Sequence, residues 1–254
     1  MTVHCFTPEA WPARVRIATT TRDGGVSRDA FAGLNLGDHV GDDPDAVRAN
    51  RQRLAGALPG KVIVTWLAQE HGTRVVPARA TAARVPVADA CWTRQPGLAC
   101  AVLTADCLPV LLCSADGRSV AAAHAGWRGL VAGVIEGTVS ALDGDPQDLH
   151  VWLGPAIGPA AFEVGAEIRA AFLHAARAAG RDQQLEEACF QPASRPGHYL
   201  ADIVGLARVR LGALGVTRIQ ADGRCTVSEP GLFYSFRRDG QTGRMASLVY
   251  IDPT

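Results

Sequence analysis

What most narrows the fold of this chain is a succession of short apolar runs, each ending in a polar motif. Residues 61–67 lead to Gln69-Glu70-His71-Gly72, residues 98–104 to Ala105-Asp106-Cys107-Leu108-Pro109, and residues 120–123 to His124-Ala125-Gly126-Trp127-Arg128. Apolar runs this short read as strands rather than helices. Their ends carry one thiol and two imidazoles to places where separate elements can aim side chains at a single spot, which is how open metal sites are built.

Further strand-like runs lie at 14–19, 110–113, 149–153, 216–220 and 246–251. A helix is expected to begin at Asp43-Pro44, with Asp43 as its cap, Pro44 in its first position and Val47, Leu54 and Leu58 on its apolar stripe. Apolar residues at helical intervals mark 129–142, with Gly126-Trp127-Arg128 at its N-terminal end, and helical patterns recur at 165–179 and 201–214. The charge-rich stretch 180–199, with two prolines, reads as an exposed connection. With no internal repeat, this mixture predicts a single α/β domain over 1–254, built of layered mixed sheets with flanking helices.

Composition excludes several partners. The 254 residues are 48% hydrophobic with a formal net charge of +0, so nothing builds the basic field that nucleic acid or an anionic membrane requires. No run of about 18 apolar residues offers a membrane span, and Met1-Thr2-Val3-His4-Cys5 opens no signal peptide, so a cytoplasmic protein is expected. Seven cysteines without Cys-x-x-Cys spacing argue against a disulfide framework and read mostly as small core residues. A small neutral ligand and a monomer are the expectations. Neither Gly24-Gly25 nor the 154–158 turn forms a nucleotide-binding fingerprint.

Taken singly, His71 or His124 serves equally well as a hydrogen-bonded core residue, and Cys107 as a packed one; no short spacing links the three. The motifs together say more. Gln69-x-His71-Gly72, the ADCLP run at 105–109, the HAGWRG run at 124–129, the GPAIG run at 154–158 and Tyr234-Ser235-x-Arg237-Arg238 resemble the YfiH-like, laccase-domain family of purine nucleoside phosphorylases. Asn35-Leu36-Gly37, Val47-x-x-Asn50-Arg51 and Thr242-Gly243-Arg244 extend the likeness over nearly the whole chain.

That resemblance implies a metal, zinc or in its place copper, held by His71, Cys107 and His124, which would also be the catalytic residues. It implies phosphorolysis of adenosine, inosine, guanosine or methylthioadenosine, and deamination of adenosine. Asp106 and Glu70 are candidate acceptors for the second nitrogen of a ligating imidazole, and the same two are nominated as proton shuttle. Phosphate calls for arginine, and Arg48, Arg128, Arg237, Arg238 and Arg244 are candidates, with Arg48 and Arg128 preferred because each adjoins a motif. Trp127 is a candidate to stack on a base.

Rival readings remain. Cys107 could act as the nucleophile of a cysteine hydrolase with His71 or His124 as its base, and the resemblance also raises editing of peptidoglycan precursors. A copper polyphenol oxidase fits poorly, because seven scattered histidines and two methionines do not furnish several copper sites. A zinc-stabilised binding module would need a fourth protein ligand.

Overall fold

A computed structural model describes residues 4–6, 8–80 and 84–253, with the side chains of residues 4–6 outside the description. The Cys5 side chain and residues 1–3, read above, therefore lie outside the described residues. In chain order the elements are β1 (His4–Phe6), β2 (Val15–Thr19), α1 (Pro44–Ala57), β3 (Ile63–Thr65), β4 (Val75–Pro77), β5 (Ala90–Thr93), β6 (Leu98–Thr104), β7 (Leu108–Cys113), β8 (Val120–Ala125), α2 (Trp127–Ala132) and α3 (Val134–Ala141). They continue as β9 (His150–Leu153), β10 (Glu163–Gly165), α4 (Ala166–Ala178), α5 (Gln183–Glu187), β11 (Phe190–Pro192), β12 (His198–Ala201), α6 (Ile203–Ala213), β13 (Arg218–Ala221), α7 (Phe236–Asp239) and β14 (Met245–Ile251).

The strands form a five-stranded sheet in the order β1-β2-β14-β6-β3, a six-stranded sheet in the order β13-β9-β7-β8-β5-β4, and a small sheet β10-β12-β11. Side-chain alternation stacks the two large sheets. Cys100 and Val102 of β6 meet Leu111, Cys113, Val120, Ala122 and Val249 in the layer between them. The alternate residues Ala99, Ala101 and Leu103 pack instead with Leu54 and Leu58 at α1. On the far side of the six-stranded sheet, Leu108, Val110, Ala121 and Ala123 pack with Leu130, Ile135, Phe172 and Leu206 of the helices. Both faces of the central strands are thus covered, which is why β6, β7, β8 and β14 are buried at every position and read as continuous apolar runs. Truncating one of these side chains to alanine would cost about 2–5 kcal/mol.

The mixed α/β architecture agrees with the sequence reading, and differences are local. Asp43 caps α1 by accepting from Asp45 N at 2.9 Å. The expected single helix over 129–142 breaks at Gly133, whose φ of 106° forms a left-handed cap between α2 and α3. The run 61–67 forms a strand only at β3, and the short β4, β5 and β10 offered too few residues for a periodic signal.

The stretch 180–199 corrects the expectation of a plain exposed connection. It folds into α5, β11 and the start of β12. Phe190 packs on Phe172 with ring centroids 5.8 Å apart, and Glu186 is fully buried because Arg181 lies 3.1 Å and Arg210 3.8 Å from its carboxylate. The charge density of that stretch records an internal ion network.

Candidate metal centre and cleft

The C-terminal ends of β3 and β6, parallel neighbours in one sheet, and the end of β8 in the other meet at one edge of the sandwich. The segment after β3 is docked by Gln69. Its side-chain amide donates to Leu103 O at 2.8 Å and accepts from Leu103 N at 2.7 Å, so that it stands in for a strand partner to β6.

The next residues wrap a buried carboxylate, that of Asp89. It accepts the backbone N–H of Glu70 at 3.2 Å, of His71 at 2.9 Å and of Gly72 at 2.7 Å. Successive N–H groups converging on one anion form a nest, and they hold His71 in left-handed backbone with φ of 63°. Asp89 lies fully buried beside β8, where it also accepts from His124 Nδ1 at 2.8 Å. Nδ1 is thereby the protonated nitrogen, and Nε2 is free to be a ligand.

The ligand atoms of His71, Cys107 and His124 lie within 4.8 Å of one another. Cys107 Sγ is 3.8 Å from His71 Nε2, and the two rings stand edge to face with centroids 4.7 Å apart. The backbone behind them must be close: a Cβ at Gly126 would sit 2.9 Å from His71 Cδ2 and 3.0 Å from Cys107 Sγ. Glycine in the HAGWRG run leaves room for the cluster.

Electrostatics matches the geometry. Burial pushes the Cys107 thiol up, but the imidazoles of His124 and His71 more than offset it, bringing its pKa to about 6. Burial pushes His124 down, yet the Cys107 thiolate and the Asp89 carboxylate raise it to about 9. Burial also raises Asp89, and the hydrogen bonds from His124, Gly72 and Glu70 reverse this and hold it below the usual carboxylate range. Without a metal the cluster is a thiolate and an imidazolium. One soft thiolate and two imidazoles, one of them anchored by a carboxylate, make a donor set suited to zinc, and no fourth protein ligand joins them among the described residues.

The acceptor for His124 is therefore Asp89 and not Asp106 or Glu70. Asp106 has φ of 94°, and its carboxylate ties loops together, accepting from Thr226 Oγ1 at 2.6 Å and Arg237 N at 2.6 Å. Glu70 reaches the centre through its backbone while its residue is exposed. Asp89 had a signal in the sequence: one acid inside the apolar run Val87-Ala88-Asp89-Ala90-Cys91 must find partners if that run is buried.

Beside Cys107 opens a cleft of about 130 Å³, walled by Trp127, Ile157, Phe162, Ile203 and Phe236 with Arg237 at its edge. Phe236 is 60% exposed at the lip. A larger groove of about 420 Å³, lined by Trp66, Arg74, Arg79 and Arg84, contains none of the three clustered side chains. The chemistry of the cluster gives the smaller cleft precedence as the site.

The arginine candidates scatter. Arg48 pairs with Asp45 at 2.7 Å on the exposed side of α1 and is not among the residues lining the cleft. Arg128 stacks on Trp127 with its guanidinium 4.5 Å from the ring centroid. Arg237 donates to Ala161 O and Glu163 O, and Arg238 to Thr226 O, Val227 O, Phe233 O and the Asp239 carboxylate. Arg244 does not line the cleft either, but the pairing of Met245 with Thr104 puts it next to the segment carrying Cys107, whose charge acts on it.

The multi-copper polyphenol oxidoreductase laccase family model matches residues 16–252. A purine nucleoside phosphorylase of Pseudomonas aeruginosa is 54% identical over 97% of this chain and 98% of its own length. The purine nucleoside phosphorylase YfiH of Escherichia coli is 49% identical over 94% and 95%. A crystal structure from Neisseria meningitidis superposes with a TM-score of 0.91 at 43% identity, covering 100% of both chains, and YlmD of Geobacillus stearothermophilus with 0.82 at 32%, covering 95% and 93%. The matched family model and these full-length likenesses place the chain in the YfiH-like, laccase-domain family.

Proposed function

We propose that this chain is a metal-dependent purine nucleoside phosphorylase, taking adenosine, inosine, guanosine or methylthioadenosine, with adenosine deaminase activity from the same site. The observation that carries the reading is a thiolate–imidazole–imidazole donor set at the end of an apolar cleft, in a chain 54% identical to a relative bearing that phosphorylase name. His71, Cys107 and His124 hold the metal, zinc by the chemistry of the donors. When bound, zinc supplies Lewis acidity and brings the ionisation of water toward neutral pH.

The residues do the rest. Asp89 fixes the His124 tautomer and, through the 70–72 nest, the position of His71. Trp127 and Phe162 offer aromatic faces and Ile157 an apolar surface for a purine. The substrates are small molecules; no helix among the described residues is long and apolar enough to cross a membrane. The test is chromatography of products from adenosine with the metal-assayed protein, with and without phosphate. Adenine and ribose 1-phosphate that require phosphate support phosphorolysis, and inosine formed without it supports deamination. Neither product from metal-loaded protein would overturn both.

One observation favours a second reading. The hydrogen bond between His124 and Asp89 completes a nucleophile–base–orienter series with Cys107, the arrangement of a cysteine hydrolase acting on an amide such as a peptidoglycan precursor. Metal separates the two: loaded protein with Cys107 shielded from alkylation favours the phosphorylase, and metal-free protein with a stoichiometrically reactive Cys107 favours the hydrolase.

A further inference from the structure

The motifs that the metal cluster leaves unused converge on one buried polar knot. Asn50, fully buried on α1, donates through Nδ2 to Asn35 O at 2.9 Å and Gly33 O at 3.2 Å. Asn35, also fully buried, accepts through Oδ1 from Gly37 N and from Arg244 N, both at 2.9 Å, while its Nδ2 donates to Gly37 O and the Asp42 carboxylate. Leu36 N then donates to Arg244 O at 3.2 Å. The knot thus clamps both sides of the Arg244 backbone. Buried, fully bonded amide networks of this kind specify one arrangement.

Its output is the placement of one guanidinium. Arg244 precedes Met245, which pairs with Thr104, so it stands beside the segment running to Cys107. The stem lies so close to Gly37 that a Cβ there would fall 2.8 Å from Arg244 Cγ. Nη1 is spent on Thr242 O at 2.9 Å and Gly243 O at 3.0 Å. Among the described residues the other edge of the fork, Nε and Nη2, makes no hydrogen bond and no ion pair, and it is not sealed from solvent. The opposing charges that act on it are those of Cys107 and Asp106. A half-buried cation held beside the site with two parallel donors unspent has the shape of a receptor for a tetrahedral oxyanion.

We propose that Arg244 anchors the inorganic phosphate co-substrate, its Nε–Nη2 edge gripping two phosphate oxygens beside the His71–Cys107–His124 cluster. The proposal rests on the phosphorolytic reading above. A third oxygen forms the bond to the ribose C1′ as the C1′–N9 bond breaks; its electron pair leaves with the purine, and the proton carried by hydrogen phosphate ends on that purine. Arg244 touches the phosphate and neither the base nor the metal.

The test uses the full metal-loaded chain, with steady-state kinetics in adenosine and phosphate and direct titration of inorganic phosphate. In R244Q the KM for phosphate is expected to rise about tenfold or more while the KM for adenosine and the bound metal stay within about twofold; R244K, which keeps charge but loses the fork, falls between. An unchanged phosphate KM, or equal rises for both substrates, overturns the proposal. If R244Q does not fold, R244K decides alone by the same criterion. If the wild-type chain cleaves no nucleoside, the phosphorolytic reading falls by itself and titration judges the anchor: phosphate binding lost in R244Q supports it. Equal binding in the two, or none to the wild type, overturns it.

Discussion

Two assemblies of buried charge, one at the metal centre and one among the helices, answer their charges differently. At the metal centre the Asp89 carboxylate collects His124 Nδ1 and the backbone N–H groups of Glu70, His71 and Gly72. These contacts hold the two imidazoles against Cys107, which lines the cleft. In the helical layer, Arg210 from α6 reaches Glu136 of α3 at 3.0 Å and Glu186 of α5 at 3.8 Å, with Arg181 alongside. There Arg210 Nε and Nη2 and Glu186 Oε2 are buried without a hydrogen-bond partner, and the assembly only joins helices. Saturating a charge from behind leaves a front face free for a ligand. Answering charges from all sides loosely makes a tie between elements, which is strong only while all its members remain.

The comparison breaks most sharply under paired substitutions. Cys107→Ala is expected to abolish metal retention and both activities, read by metal stoichiometry and product analysis, with a Tm close to that of the metal-free wild type. Arg210→Met should do the reverse: it takes away the 3.0 Å partner of Glu136 and leaves the fully buried Glu186 with Arg181 alone, costs about 3–5 kcal/mol and lowers Tm by on the order of 10 °C, with metal content and kcat/KM unchanged. An R210M protein that loses metal, or a C107A protein that melts well below the metal-free wild type, would show that the two assemblies are one.

These regions also differ in how far the sequence discloses them. The His71, Cys107 and His124 motifs stand out because each follows an apolar run, and β6 appears over the same residues, 98–104, in sequence and structure. The helical-layer network does not stand out, since Glu186 and Arg210 resemble solvated charges until tertiary packing around Phe172 and Phe190 buries them. Asp89 is only faintly marked for a related reason. Its partners come from 70–72 and 124, and contacts across such separations leave no periodic trace. The cleft walls are disclosed in part: Trp127 and Ile157 lie in the HAGWRG and GPAIG runs, whereas Phe162 and Ile203 read as ordinary apolar residues on unrelated segments.

Asp89→Asn sharpens the comparison at the centre. It keeps the shape but removes the charge facing His124 and the 70–72 nest, so metal affinity measured by chelator competition is expected to fall about 10–100-fold. The pH dependence should carry the same signature. With Cys107 near 6 and His124 near 9, the metal-free site is a thiolate and an imidazolium between those values. Metal binding there must expel the His124 proton, so affinity should rise about tenfold per pH unit and level off above about 9. Below about 6 the thiol also holds its proton, and the slope steepens. In D89N, where the charge that helps to raise His124 is gone, the levelling should move to lower pH. Affinity independent of pH across this range would mean that His124 is not a ligand.

The smallest effect belongs to Arg48, which motif position made a favoured phosphate ligand and which the structure pairs with Asp45 one helical turn away. Its side chain is 64% exposed, and an exposed pair of this kind contributes about 0–1 kcal/mol. Arg48→Ala is therefore expected to leave the phosphate KM within about twofold and Tm nearly unmoved, in contrast to the effect expected of R244Q. Measured side by side, the two arginines test whether anion recognition follows from adjacency to a motif in sequence or from a guanidinium pinned at the end of β14. A tenfold rise in R48A with none in R244Q would place the phosphate on the α1 side, and the buried asparagine knot would then serve packing alone.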